Sequence, residues 1–302
     1  MISLSYKTKQ LLSILLKTAV FLISIVWIYF TWKDRSMNFK WFIVSINLEM
    51  ISWIILMIAI SLISWLIESR KWQYLVKEFY ELRFRESVLQ NLTSQAASFI
   101  TPFRLGEFAL KSLFFSKAHR KNVVSKVFWA NFSQMVVTCT FGIASIITLS
   151  SINDKLDIYF ILLVLSILII GLFSVRFIDK KLQIRATPQT QLVITIGYSL
   201  LRYLVFASNW IIVLWALNYD FELIDVMLKI GLYYLLVSVV PVLQLLDLPV
   251  RYTVASIVFE STLQQEEVIL IASTIVWFTN TVVPTLFGCA LLPFKSFKLA
   301  QA

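Results

Sequence analysis

The sequence predicts an all-α integral membrane protein, with six transmembrane helices and two broken, re-entrant helical hairpins in an inverted repeat. Three observations carry this expectation. The 302-residue chain is 59% hydrophobic and only 15% charged, with a mean hydropathy of +0.81, whereas a soluble domain is about 45–50% apolar. Long apolar runs recur through the whole length. Two of these runs are interrupted near the middle by proline and charge, as TPFRLGE at 101–107 and VPVLQLLDLPVR at 240–251. No polar stretch is long enough for a soluble catalytic domain. One membrane domain over 1–302 is the simplest division, with half-repeats of about 1–150 and 151–302.

A spanning helix needs about 20 mostly apolar residues. The runs at 11–32, 41–67, 123–149, 157–177, 191–217 and 267–292 meet that requirement. The first follows Lys7 and Lys9, is longer than a signal-peptide core and has no small-residue cleavage site behind it, so it reads as a retained span. The interrupted regions are 88–117 and 226–260. Proline removes a helical hydrogen bond and clashes with the preceding turn. Backbone groups freed in this way cannot face lipid and must be buried in protein or line a wet cavity. Each region is therefore expected to fold as helix, break, helix.

The net charge of +10 sits in short loops between apolar runs. That placement argues against nucleic acid and for cytoplasmic loop bias and contact with anionic headgroups. Cations gather near the N-terminus and in 70–85, 111–126, 176–185 and 295–298, against Lys33, Arg35, Lys40, Lys155 and Lys229 on the other side. Both termini are then cytoplasmic and the protein is multi-pass in the inner (plasma) membrane, provided each interrupted region returns to the side it left. The order span, span, re-entrant segment, span then repeats with opposite orientation, and the two breaks meet near the bilayer midplane. Trp27, Trp32, Trp41, Trp72 and Tyr74 flank the spans as expected of interfacial anchors.

Little in the sequence suggests catalysis. Cys139 and Cys289 lie in apolar segments without a CxxC pair, and the single histidine, His119, lies in the basic loop KAHRK. A disulfide framework, a zinc site or a histidine-based triad has nothing to stand on. No metal and no cofactor are expected.

The charges inside the apolar runs carry more information. Arg104 and Glu107 lie in the first break, with Pro102 ending the incoming segment; Asp247, Pro249 and Arg251 lie in the second. Charge at membrane depth is costly and is paired or hydrated. Glu107 and Lys111 are four residues apart and share a helix face. A helix starting near Gly106 would turn free N–H groups toward an anion, and Arg104 would add a planar, permanently charged fork; phosphate suits such a site. Arg104 and Glu107 also read as a structural ion pair holding the break, and the two roles are compatible. Arg251 has three readings: a pair with Glu107, a pair with Asp247, or contact with substrate. Arg202 is deep enough in its span to need a partner, while Glu49 lies nearer an interface. Asn131 with Gln134, and Asn209, suit helix–helix hydrogen bonding.

The stretches IESRKWQYLV and NLTSQAASFITPFRLGEFALKSLFF resemble the lysylphosphatidylglycerol synthase transmembrane-region family, also called flippase-like domain proteins. The family's late-span arginine and its P-x-R-x-G-E core fall here on Arg70, Pro102, Arg104, Gly106 and Glu107. YSLLRYLVFASNWIIVLWAL is similar to its later span opening with serine, here Ser199, and SVVPVLQLLDLPVRYTVASIVFE to its second break, with Arg251 about where that break ends in glutamate. The resemblance implies a lipid flippase that moves an anionic headgroup, of phospholipid or polyprenyl-phosphate type, across the inner membrane. Only a short tail follows the last span, so a soluble aminoacyl-transferase domain is not expected. The implied substrate-binding set is Arg104, Gly106, Glu107, Lys111 and Arg251, with Pro102, Asp247, Pro249, Arg202 and Asn131 as structural or pairing residues. Two other classes stay open: a non-transporting partner of an envelope-biosynthesis enzyme, and an integral membrane enzyme that modifies lipids.

Overall fold

The structure is a computed structural model that describes residues 48–101, 104–152, 189–240, 247–259 and 263–292, together with Ser166, Phe177, Lys180 and Gln244. The expected span 11–32, most of 157–177, the start of 41–67 and Pro102 lie outside the described residues. All regular structure among the described residues is helical. Four stretches are long and apolar enough to cross a membrane: Leu48–Val76, Lys117–Leu149, Thr190–Ala216 and Glu266–Leu291.

Helix α1 is Leu48–Val76. The apolar pattern ends at about Leu66, yet the helix continues through Glu68, Arg70 and Lys71. Arg70 and Lys71, expected in a loop, therefore lie in the helix instead. Lys71 is buried, as is Glu68, and both are kept helical by partners inside the bundle. Trp72, expected at an interface, is also wholly buried.

Helix α2, Phe84–Ile100, begins after Arg83, whose backbone N–H donates to Glu86 in the first turn. It then runs into the first break. Helix α3 is Leu105–Leu113 and folds back along α2. The reversal is visible in side chains. Phe115, just after α3, packs edge-on against Trp72 and Tyr80, and Trp72 is tied to α2 by its indole N–H, which donates to Gln90 Oε1 at 2.7 Å. The chain thus returns to the end of α1 from which α2 departed. A short 3-10 turn, Lys117–His119, leads into α4, Arg120–Ile152.

Helix α5 is Gln189–Ala216, and its end is closed by Asn218 in the left-handed region, a conformation asparagine tolerates. Helix α6, Leu223–Val239, enters the second break, and α7, Asp247–Phe259, leaves it and packs on α6. Pro249 sits in the first turn of α7, where a missing N–H costs nothing. Helix α8, Leu263–Trp277, passes through a π-helical segment, Phe278–Val282, into α9, Val283–Leu291. Pro284 cannot donate to the carbonyl of Asn280, and widening the preceding turn accommodates that loss.

Aromatic stacking and glycine contacts hold the bundle. Trp210 of α5 is fully buried between Tyr233 of α6 and Phe259 of α7. Asn209 donates to Met57 O at 3.2 Å and to Asn280 Oδ1 at 2.8 Å, and Asn280 donates to Phe206 O at 3.1 Å. This ladder joins α1, α5 and the π segment, the use expected for Asn209. Two glycines let helices press on α2. A Cβ at Gly106 would overlap the Ala97 carbonyl, and one at Gly288 the Leu92 carbonyl. By contrast, a Cβ at Gly197 of α5 meets nothing. Replacing Gly288 by Ala is expected to lower the thermal unfolding temperature in detergent, because α9 must move off α2. Gly197→Ala is expected to raise it slightly, since glycine in an open helical position costs about 0.5–1 kcal/mol.

Candidate functional site

The polar character of α2 is unusual for a buried helix. Ser87, Gln90, Asn91, Thr93, Ser94, Gln95 and Ser98 are all buried. In a chain this apolar, such side chains must bond to each other, to neighbouring backbone, or to a ligand. Ser87 donates to Ser69 O and Asn91 to Ser69 Oγ. Gln95 donates to Gln244, in the second break, at 3.1 Å and to Thr285 of α9 at 3.4 Å.

The first break carries the anticipated charges. Arg104 is the N-cap of α3 with φ 57° and ψ 28°, the left-handed region. That conformation costs a non-glycine residue about 1–2 kcal/mol, so the position holds arginine against its backbone preference. Glu107 Oε2 lies 3.4 Å from the Arg104 guanidinium, and Oε1 accepts from Lys111 at 2.9 Å. Asn131 of α4 donates to Oε2 at 3.2 Å. Lys111 is completely buried, with its ammonium 4.3 Å above the Trp72 ring. Arg104 is the open member: its side chain is 39% exposed, and its Nε, which is buried, has no partner.

A second group lies beside it. Glu68 Oε2 accepts from Lys71 at 2.7 Å and from Arg202 of α5 at 3.0 Å. Lys71 also donates to Ala130 O and Ser199 Oγ, at 3.1 and 3.2 Å. An ammonium has three N–H groups, and all three are used. Arg202 stacks over Trp65 at 4.9 Å and, like Arg104, keeps an unpartnered Nε. Lys111 is within electrostatic reach of both Glu68 and Lys71, so the two groups form one patch. Its members are Arg104, Lys111, Lys71 and Arg202 against Glu68 and Glu107, four positive charges and two negative, a surplus of +2.

The structure therefore brings Arg104, Glu107, Lys111 and Asn131 together, and gives Arg202 the partner it needed. Gly106 lies in the same turn, but its N–H donates to Thr101 Oγ1 at 2.8 Å and its missing Cβ serves packing. Arg251 pairs with Asp247, Nε to Oδ2 at 2.5 Å, within α7; of the open readings for its ion pair, this is the one found. Sequence reasoning missed Glu68 and Lys71 as site members. Their spacing from Trp72 on one helical face, and the need of Arg202 for an acid, were the available signals. Among the described residues, no group of histidine, cysteine, aspartate or glutamate is arranged to hold a metal.

Compared with family models, curated proteins and solved structures, the chain matches none.

Two expectations follow for the patch. Glu107→Gln removes the counter-charge of a buried lysine and is expected to cost about 3–5 kcal/mol. The paired change Glu107→Leu with Lys111→Met is expected to cost less than the sum of the two single changes. Denaturant titration of the purified protein in detergent measures both.

Proposed function

We propose that this protein moves a lipid with an anionic, phosphate-bearing headgroup between the leaflets of the inner membrane. The observation that carries the reading is the surplus of positive charge around Glu68 and Glu107. The enclosed cations Lys71, Lys111 and Arg202 already outnumber the two carboxylates, and Arg104 at the surface shares one of them, so an anion bound at Arg104 relieves the imbalance. Arg104 is the member with free hydrogen-bonding capacity and access to the surface, and its guanidinium fork matches phosphate geometry. Lys111 and Arg202 lie behind it as further positive charge.

In this reading, each helix–break–helix unit is a re-entrant hairpin, six helices span the bilayer, and the halves form an inverted repeat. The first hairpin dips in from the cytoplasmic side, where both termini also lie. The return of Phe115 to Trp72 and the bond between Gln95 and Gln244 support this geometry. The resemblance to flippase-like domain proteins points the same way, with Arg104, Glu107 and Ser199 falling inside the charge patch. Mechanistically, headgroup phosphate replaces Glu107 as the partner of Arg104, and Glu107 stays bonded to Lys111 and Asn131. Relative movement of the two halves then carries the headgroup across.

Reconstitution into liposomes containing fluorescent anionic lipids tests this. The wild-type protein is expected to exchange label between leaflets faster than empty vesicles. Arg104→Gly is expected to abolish exchange while leaving stability unchanged or raised by about 1 kcal/mol, since glycine relieves the left-handed backbone. If Arg104→Gln vesicles exchange as fast as wild type, the protein does not transport through this site. A partner of an envelope-biosynthesis enzyme or a lipid-modifying enzyme would then be the better reading.

A further inference from the structure

We infer that Thr101 is a positioning residue for the headgroup site: its hydroxyl ties the end of α2 to the start of α3 and thereby aims Arg104 at the phosphate. This rests on the anionic-headgroup reading above and adds what holds the arginine in place.

Arginine is a poor residue with which to start a helix. An N-cap side chain works by accepting a hydrogen bond from a backbone N–H of the first turn, and a guanidinium has no acceptor. Arg104 makes no capping bond of its own. Its backbone lies in the left-handed region, which an L side chain occupies when its surroundings impose it. Its ion pair holds it only loosely. The guanidinium lies 3.4 Å from Glu107 Oε2, longer than a well-formed charged hydrogen bond, and 39% of the side chain is exposed. The direction of Arg104 is therefore set by the backbone that carries it.

Thr101 supplies what Arg104 lacks. It closes α2 in an extended conformation, with its N–H donating to Ser98 O at 3.3 Å. Its hydroxyl gives its one hydrogen to Ala97 O at 2.9 Å. The same oxygen accepts from the Gly106 N–H at 2.8 Å. Gly106 is the second residue of α3, so this is a capping bond made by a residue that precedes the N-cap and still belongs to the end of α2. The approach needs glycine, because a Cβ at this position would lie 2.7 Å from Thr101 Oγ1 and would overlap the Ala97 carbonyl.

One oxygen thus joins the last turn of α2 to the first turn of α3, and Arg104 lies within the loop that this bond closes. Glu107 follows Gly106 directly, so the same bond places both members of the ion pair. The β-branch of threonine restricts its first side-chain torsion, which keeps the hydroxyl between its two partners. Opening the loop lets Arg104 relax out of the left-handed region and turns its guanidinium away from its present direction.

The test is binding of phosphatidic acid and of diacylglycerol with identical acyl chains to the purified full chain in detergent, counted by native mass spectrometry. The two lipids differ only in the phosphate, so their affinity ratio reads the headgroup contact alone. Thr101→Val keeps the shape of the side chain without the hydroxyl, Thr101→Ala removes both, and Thr101→Ser keeps the hydroxyl. The wild-type protein is expected to favour phosphatidic acid by about tenfold or more, and the serine variant to stay within about threefold of that ratio. The valine and alanine variants are expected to lower the ratio about tenfold, with diacylglycerol binding unchanged. A wild-type ratio in the valine and alanine variants overturns the inference and leaves the phosphate reading standing. An equal loss in the serine variant does the same, since the hydroxyl is then not the group that matters. A parallel fall in diacylglycerol binding, or failure of both hydroxyl-free variants to fold, also overturns it by making Thr101 a structural residue only. A wild-type protein that does not favour phosphatidic acid removes the phosphate reading itself, and this inference with it.

Discussion

The carboxylate of Glu107 is the hub on which the first half of the site depends. It receives Lys111 from its own helix, Asn131 from α4 and Arg104 from the break. Lys111 is completely enclosed, and an enclosed ammonium without a counter-charge is among the most unfavourable things a folded protein can contain. The short helix α3 therefore cannot unwind or rotate away without exposing that imbalance. Through Glu107, an ionic requirement fixes the geometry of a helix that is only two and a half turns long by its residue count.

A parallel arrangement holds the long helices. Lys71 joins α1 to α4 through Ala130 and to α5 through Ser199, while Glu68 draws Arg202 onto the same spot. Ser133 donates to Ala130 O and meets Ser199 Oγ at 2.8 Å. Every hydrogen of the Lys71 ammonium is thus committed, which makes Lys71 a fixed strut. Arg104 and Arg202 differ from it, since each keeps a free Nε. The patch divides into charges that hold helices and charges that remain available.

Much of the scaffold was legible in the sequence because helix and membrane both leave strong patterns. The apolar runs at 123–149, 191–217 and 267–292 became α4, α5 and α8–α9 with small changes of boundary. The breaks were legible because Pro, Arg, Gly and Glu cannot continue an apolar helix unnoticed. The extent of α1 was not. Hydropathy treats Glu68, Arg70 and Lys71 as the end of a span, whereas two of the three are buried because Arg202 and Ser199, more than a hundred residues away, supply partners. The polar face of α2 escaped for a related reason. Serine and threonine read as near neutral on a hydropathy scale, asparagine and glutamine as hydrophilic, and only the packing of α1 and α9 shows them to be enclosed. The site was half legible: Arg104, Glu107, Lys111 and Asn131 by local spacing, Glu68 and Lys71 only through tertiary contact.

The link between Gln95, Gln244 and Thr285 has a mechanical consequence. It is the place where the first hairpin grips the second break and the last helix, and it is made of neutral amide and hydroxyl bonds at 3.1 and 3.4 Å. Bonds of this kind exchange partners at little net cost, unlike the ionic hub at Glu107 or the steric fit at Gly288. The hairpin thus meets α9 in two ways, through a steric fit at Gly288 that leaves no room for a side chain and through neutral bonds at Gln95 that can change partner. The first contact sets how closely the two helices lie, and the second can be exchanged without moving them apart.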